Sequence, residues 1–209
     1  MDVRHHRLNF QYTNPSPQFN RQAVHGVVAK LFSVRDRQFC LGLETAAGGR
    51  LYHVVTDTNV TASQLLQKGR LQRSVTFAPL NKLNASVLSA RKIQAAKRVG
   101  GKDNVWWAKE LVNYDNAIDT AMNYAFGGTL VCRDLETARK VAFHPEVMTT
   151  CTTLDGDKIS PGGDMSGGAQ AAGPSVLADL FQYRETETEL RRKQKELANL
   201  EARLRQVGA

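Results

Sequence analysis

From Val176 onward, apolar residues recur every seven positions: Val176, Tyr183, Leu190, Leu197 and Leu204, with Leu200 and Val207 three after the last two. Apolar residues at the first and fourth places of a heptad draw a narrow stripe along a helix, the pattern of a coiled-coil seam. Thr186 and Lys193 hold the earlier fourth places, so the pattern is clean only from Leu190. Charged residues flank it (Arg191, Arg192, Lys195, Glu196, Glu201, Arg203), and residues 176–209 contain no proline. An amphipathic helix lying on the protein's own core would carry a broader stripe. The pattern therefore predicts a coiled-coil helix, entered through the glycine- and alanine-rich break from Gly167 to Pro174, whose proline suits a helix start.

Upstream, a shorter pattern occurs twice. Ala47-Gly48-Gly49-Arg50-Leu51 leads into Val54-Val55, then Asp57, then Thr61-Ala62 at the head of an apolar-periodic stretch. Phe126-Gly127-Gly128-Thr129-Leu130 leads into Val131-Cys132, then Asp134, then Thr137-Ala138 in the same way. Each unit closes on a β-prone run, Ser74 to Phe77 and Met148 to Leu154. Glycine ends a helix, a short apolar run suits a strand buried on both faces, and Asp or Thr caps the next helix. The prediction is helix, Gly-Gly turn, strand, helix, strand, made twice. Two copies imply two lobes in a mixed α/β (α+β) fold, with small sheets flanked by helices. Residues 24–89 form lobe one and residues 90–172 lobe two; residues 1–23 lead in, and residues 173–209 carry the helix. Trp106-Trp107 and the apolar residues after them (Leu111, Val112, Ile118, Met122, Phe126) read most simply as helical core. Asp155-Gly156 signals a tight turn between strands.

Charge changes this picture. Lys and Arg total 28 against 20 Asp and Glu. Between Thr58 and Lys102 there is no acid, yet nine basic residues occur: Lys68, Arg70, Arg73, Lys82, Arg91, Lys92, Lys97, Arg98 and Lys102. The rest of the chain holds 19 basic and 20 acidic residues, so the whole excess lies in one segment. Such asymmetry marks a candidate surface for a polyanion such as DNA. A solvated basic surface, or one facing an acidic partner, is the alternative.

Catalytic and cofactor chemistry find no foothold. The run from Ser160 to Gly168 is glycine-dense, but no Gly-Lys-Ser/Thr closes it and Asp164 would repel a phosphate. Gly100-Gly101-Lys102-Asp103 lacks the upstream glycine and the hydroxyl. The histidines (His5, His6, His25, His53, His144) form no metal-binding pair, and the cysteines (Cys40, Cys132, Cys151) form no CxxC. The cysteines read as reduced core residues. No cofactor, metal or small-molecule substrate is expected, and no apolar run is long enough to cross a membrane. For the glycines a steric role remains: an edge strand without Cβ atoms can be approached by another backbone. A dedicated partner strand would satisfy that edge by β-augmentation.

Several segments taken in order resemble the hinge domain of SMC (structural maintenance of chromosomes) proteins, in its condensin branch. They are Phe10-x-Tyr12-x-x-Pro15, Val24-His25-Gly26-Val27-Val28-Ala29, Gly49-Arg50-Leu51-Tyr52-x-Val54-Val55-x-Asp57, Pro79-Leu80-Asn81-Lys82, Phe126-Gly127-Gly128-Thr129, Val141-Ala142-Phe143, and a final Leu-Asp-Gly…Ser-Gly-Gly-Ala ending at Ala169. The resemblance implies a non-enzymatic, two-lobed dimerisation module whose lobe one meets lobe two of a partner by extending β-sheets. It places Gly163, Ser166, Gly167 and Gly168 at the dimer interface. The implied partner is the hinge of the other condensin SMC subunit, with weak homodimerisation or a self-contained DNA-binding homodimer as the alternative. It further implies an ATPase head at the far end of the coiled coil, absent from this chain. DNA, preferentially single-stranded, is the second implied partner. The expected setting is chromosome condensation in the mitotic cell cycle, in the nucleus and on chromosomes with a cytoplasmic pool.

Overall fold

A computed structural model describes residues 3–168 and 175–207. Ala169 to Pro174, where much of the expected break falls, lie outside the described residues.

The duplicated sequence folds into a duplicated topology. In the first copy α1 (Cys40–Ala47) runs through a 3-10 turn into β3 (Val54–Thr56), α2 (Asn59–Lys68) and β4 (Phe77–Pro79). In the second, α4 (Asp119–Phe126) leads to β7 (Thr129–Cys132), α5 (Leu135–Ala142) and β8 (Thr150–Thr153). The helical crossovers allow β3 and β4, and likewise β7 and β8, to pair in parallel. Each central strand carries an antiparallel strand on its other side: β1 (Val24–Val27) against β3, and β5 (Val105–Trp107) against β7. The caps differ by one residue. Asp134 accepts from the Thr137 N–H (2.8 Å), whereas Thr58 caps α2 through the Thr61 N–H (3.2 Å). Asp57, one place back, braces that cap by accepting from the Thr58 N–H and the Thr61 hydroxyl. β4 starts at Phe77, later than the expected Ser74, because β3 offers only three residues for pairing.

Trp106 and Trp107 are not helical core, contrary to expectation. They form β5, opposite Val131 and Leu130, and point to opposite faces of the sheet. Trp106 packs edge-on against Phe39 at 5.0 Å, and the Trp107 indole N–H donates to the Gly127 carbonyl at 2.9 Å. Leu111 and Val112 lie in a 3-10 turn and in β6 (Val112–Tyr114), and α4 begins only at Asp119.

Two cores result. The five-stranded sheet adds β9 (Lys158–Ile159) and β10 (Met165–Ser166), in the order β10-β9-β8-β7-β5. On one face Val105, Leu130, Cys132, Cys151 and Ile159 pack with Ala95 and Ala96 of α3 (Ala90–Gly100) and with α5. From the other face Val131 joins Leu43, Leu51, Val54 and Phe126 in the larger core, against which Trp106 also packs. β2 (Phe32–Val34) pairs with β6, so residues on both sides of position 90 share the larger core. Helix α1 sits at the seam, where the Thr152 hydroxyl donates to the Gly42 carbonyl at 3.0 Å. The three cysteines are free and buried, and burial pushes the Cys40 thiol up to about 11.

The expected Asp155-Gly156 turn joins β8 to β9, with Gly156 at φ +88°. α6 (Val176–Val207) is one continuous helix. Val176 and Leu177 are buried in the larger core, while Tyr183, Leu190, Leu197 and Leu200 are each more than half exposed. From Tyr183 to Leu200 the heptad stripe thus leaves the body uncovered.

Candidate interaction edges and basic surface

β10 ends the five-stranded sheet, with Met165 opposite Ile159 and Ser166 opposite Lys158. The Ser160 N–H donates to the Asp164 carbonyl at 2.9 Å. Bonded and non-bonded pairs alternate along an antiparallel ladder, so Met165 turns its N–H and C=O outward. Its side chain is also exposed. The expected interface glycines shape this edge in two ways. Gly163 and Gly168 flank β10 with φ of +100° and +97°, conformations that side-chain-bearing residues rarely adopt. At Gly167 a Cβ would sit 1.9 Å from Asp157 Oδ1, so the close approach there is within the chain. Within β10 the free hydrogen-bonding groups belong to Met165.

At the end of the three-stranded sheet, ordered β1-β3-β4, a second edge is open. The Val54 N–H donates to the Thr76 carbonyl (2.9 Å) and the Leu80 N–H to the Thr56 carbonyl (2.8 Å). Ala78, between them, faces β3, and Phe77 presents its N–H and C=O outward, whereas the Pro79 carbonyl is taken by the Lys82 and Leu83 N–H groups (3.0 Å each). Pro79 has no N–H to offer a ladder, which confines it to an edge.

The nine basic residues of the acid-free segment are spread over several elements. Lys68 and Arg70 lie at the end of α2 and Lys82 follows β4, whereas Arg91, Lys92, Lys97 and Arg98 lie on α3, against the smaller core, with Lys102 just after it. Three of them are engaged. Arg73 donates to the carbonyls of Arg7 (2.7 Å) and Asn9 (2.9 Å), Lys97 pairs with Glu110 at 2.8 Å, and Arg98 pairs with Glu146. The side chains of Lys68, Arg70, Lys82, Arg91, Lys92 and Lys102 make no ion pair or hydrogen bond among the described residues. These six are the available cations.

Residues 21–142 match the family model described as SMC proteins Flexible Hinge Domain. The chain belongs to the SMC hinge family. It is 43% identical to Structural maintenance of chromosomes protein 2-1 of Arabidopsis thaliana over 96% of its own length, and spans about 17% of that relative. A solved asymmetric dimer of the Geobacillus stearothermophilus SMC hinge domain is similar over 86% of this chain and 71% of the other, at 33% identity and a TM-score of 0.68. The Pyrococcus furiosus Smc hinge domain with an extended coiled coil matches 88% of this chain and 62% of its own, at 25% identity and a TM-score of 0.55.

The hinge holds its helical arm by contacts the heptad pattern does not contain. The Glu44 carboxylate accepts from the Ser175 hydroxyl (2.6 Å) and the Leu177 N–H (3.3 Å), at the first turn of α6. Two turns on, the Arg184 guanidinium donates to the carbonyls of Phe32 and Lys30 (the latter at 3.1 Å). Leu177, Leu180 and Phe181 pack against the larger core beside it. Their spacing with Arg184 marks a second face of the helix, distinct from the seam. A further clamp fixes the start of α4. Asp119 accepts from Lys109 (2.7 Å), the Tyr114 hydroxyl (2.7 Å) and the Asn123 amide (2.8 Å). The Lys109 hydrogen bond, then that of Tyr114, holds the Asp119 carboxyl below the usual carboxylate range. Among the described residues no group of three His, Cys, Asp or Glu side chains could hold a metal, and no helix is long and apolar enough to cross a membrane.

Proposed function

We propose that this hinge pairs one condensin-type SMC polypeptide with a second hinge, joining β10 of one copy to the open edge of β4 in the other. Met165 carries the reading: its outward N–H and C=O stand at the end of one sheet, as those of Phe77 stand at the end of the other. Strand addition satisfies the outward groups of Met165 and Phe77 and leaves neither edge free to recruit unintended chains. The Geobacillus dimer supports pairing as the hinge's role, and the likeness to protein 2-1 supports an SMC2-type subunit. On this reading the partner is the hinge of the other condensin SMC subunit. The six unpaired cations guide DNA, single-stranded by preference. The work is chromosome condensation, in the nucleus and on chromosomes with a cytoplasmic pool. ATP hydrolysis belongs to heads elsewhere in the polypeptide, and the hinge's contribution is mechanical.

The substitution Met165→Pro tests this. It removes the outward donor at an edge position that tolerates proline. Sedimentation with a partner hinge should show a complex for the wild type and two monomers for the variant, with the variant's melting temperature little changed. A complex that persists in the folded variant sinks the edge-pairing idea. A stable homodimer of the chain alone favours self-pairing over a hetero-partner.

A further inference from the structure

On the face of the five-stranded sheet toward α1 lies a cleft of about 380 Å³, floored by the first residues of β7 and β8 and walled by the segment connecting the two copies. Arg50 and Lys158 both reach it, and no carboxylate lines it among the described residues. Arg50 is already oriented. Its Nη1 donates to the carbonyls of Tyr124 (3.1 Å) and Ala125 (3.4 Å), and its guanidinium lies 5.3 Å over the Tyr124 ring. That leaves Nε and Nη2 without a partner among the described residues. The Lys158 ammonium, the Asn84 amide and the hydroxyls of Ser86, Thr129 and Thr150 are likewise unpartnered within the described chain. Neither cation belongs to the acid-free segment. Arg50 comes from the turn after α1, and Lys158 from the strand beside β10.

Two unneutralised cations of different kinds facing one polar cleft have the chemistry of a phosphate site. An arginine's planar fork spans two oxygens, a lysine adds a point charge, and hydroxyl and amide donors fill the remaining directions. The fixed guanidinium lowers the ordering cost of such a contact. The volume is at the small end for ligand sites, enough for a phosphate or short oligophosphate rather than a duplex. We infer that the Arg50–Lys158 cleft binds a phosphate group, supplied either by a free oligophosphate or by a nucleic-acid strand. The inference is independent of hinge pairing, because the cleft is complete within one chain.

Titration of the isotope-labelled chain with pyrophosphate at low ionic strength, followed by amide chemical shifts, tests it. The Gly128, Thr129 and Thr150 amides should move together. Lys158→Gln should weaken binding roughly tenfold, the loss expected for one hydrogen bond to a charged group, and Lys158→Arg should retain it. Absence of localised shifts at millimolar pyrophosphate, or unchanged affinity in folded Lys158→Gln, overturns the proposal. A 5′-phosphorylated oligothymidylate then identifies the source. Competition for the same amides assigns the phosphate to nucleic acid, and lack of competition assigns it to a free oligophosphate.

Discussion

Gly42→Ala isolates the seam between the two cores. A Cβ there would lie 2.7 Å from the Thr153 carbonyl oxygen and 3.1 Å from Val131 Cγ1. Neither neighbour can retreat, since Val131 and Thr153 are fully buried in paired strands. The Thr152 hydroxyl meanwhile holds the Gly42 carbonyl to the sheet. Relief requires α1 to lift, which loosens packing in both cores. Overpacking of this kind costs about 1–3 kcal/mol, while alanine's helix propensity returns about 1 kcal/mol. Taking about 2 kcal/mol from the middle of that range leaves a net loss of about 1 kcal/mol, which corresponds to a melting temperature lower by about 2–4 °C for a chain of this length. Thermal unfolding by circular dichroism measures it, with Gly49→Ala as the control. Nothing lies within 4 Å of a Cβ at Gly49, so that variant should stay within about 0.5 kcal/mol of wild type. A Gly42→Ala hinge melting at or above the wild-type temperature refutes the argument.

Asp119 supplies a pH dependence. Its carboxyl is held below the ordinary value, chiefly by Lys109, so its contribution is complete above about pH 3.9 and is lost as pH falls through the depressed folded value. Urea unfolding should show Asp119→Asn less stable than wild type at neutral pH, the gap closing in acid; a gap independent of pH would contradict this. Arg184→Ala removes the hydrogen bonds to the Phe32 and Lys30 carbonyls, so amide exchange over residues 178–186 should quicken while that of Leu130 does not. Reversing Arg91 and Lys92 to Glu should weaken single-stranded DNA binding and flatten its salt dependence, by about 0.7 in slope for each phosphate no longer neutralised. Reversing Lys97, already paired with Glu110, should do less, and equal losses would remove the distinction between paired and unpaired cations.

Much of the architecture is legible in the sequence because it rests on local rules. The Gly-Gly turns and the Asp/Thr caps locate both copies of the helix–strand–helix–strand unit, and the heptad locates α6. Trp106-Trp107 misleads because a three-residue strand is too short to display its period of two. Its assignment depends on pairing with β7, which no local signal contains. The ion pairs that occupy Lys97 and Arg98 join residues 13 and 48 positions apart, so the acid-free segment looks more available in sequence than it is in the fold. The glycine-dense run points to an edge that the fold leaves open, but the reason is incomplete. Two glycines answer to backbone conformation and Gly167 to Asp157, while the groups left open are those of Met165.

Amide hydrogen exchange at Met165 and Phe77, in the dilute chain and in its complex with a partner hinge, tests the pairing most directly. The outward N–H groups should exchange fast in the separate chain, and both should become protected together on association, as a strand ladder across the interface demands. A complex that forms while both amides keep exchanging at the free rate would contradict the account.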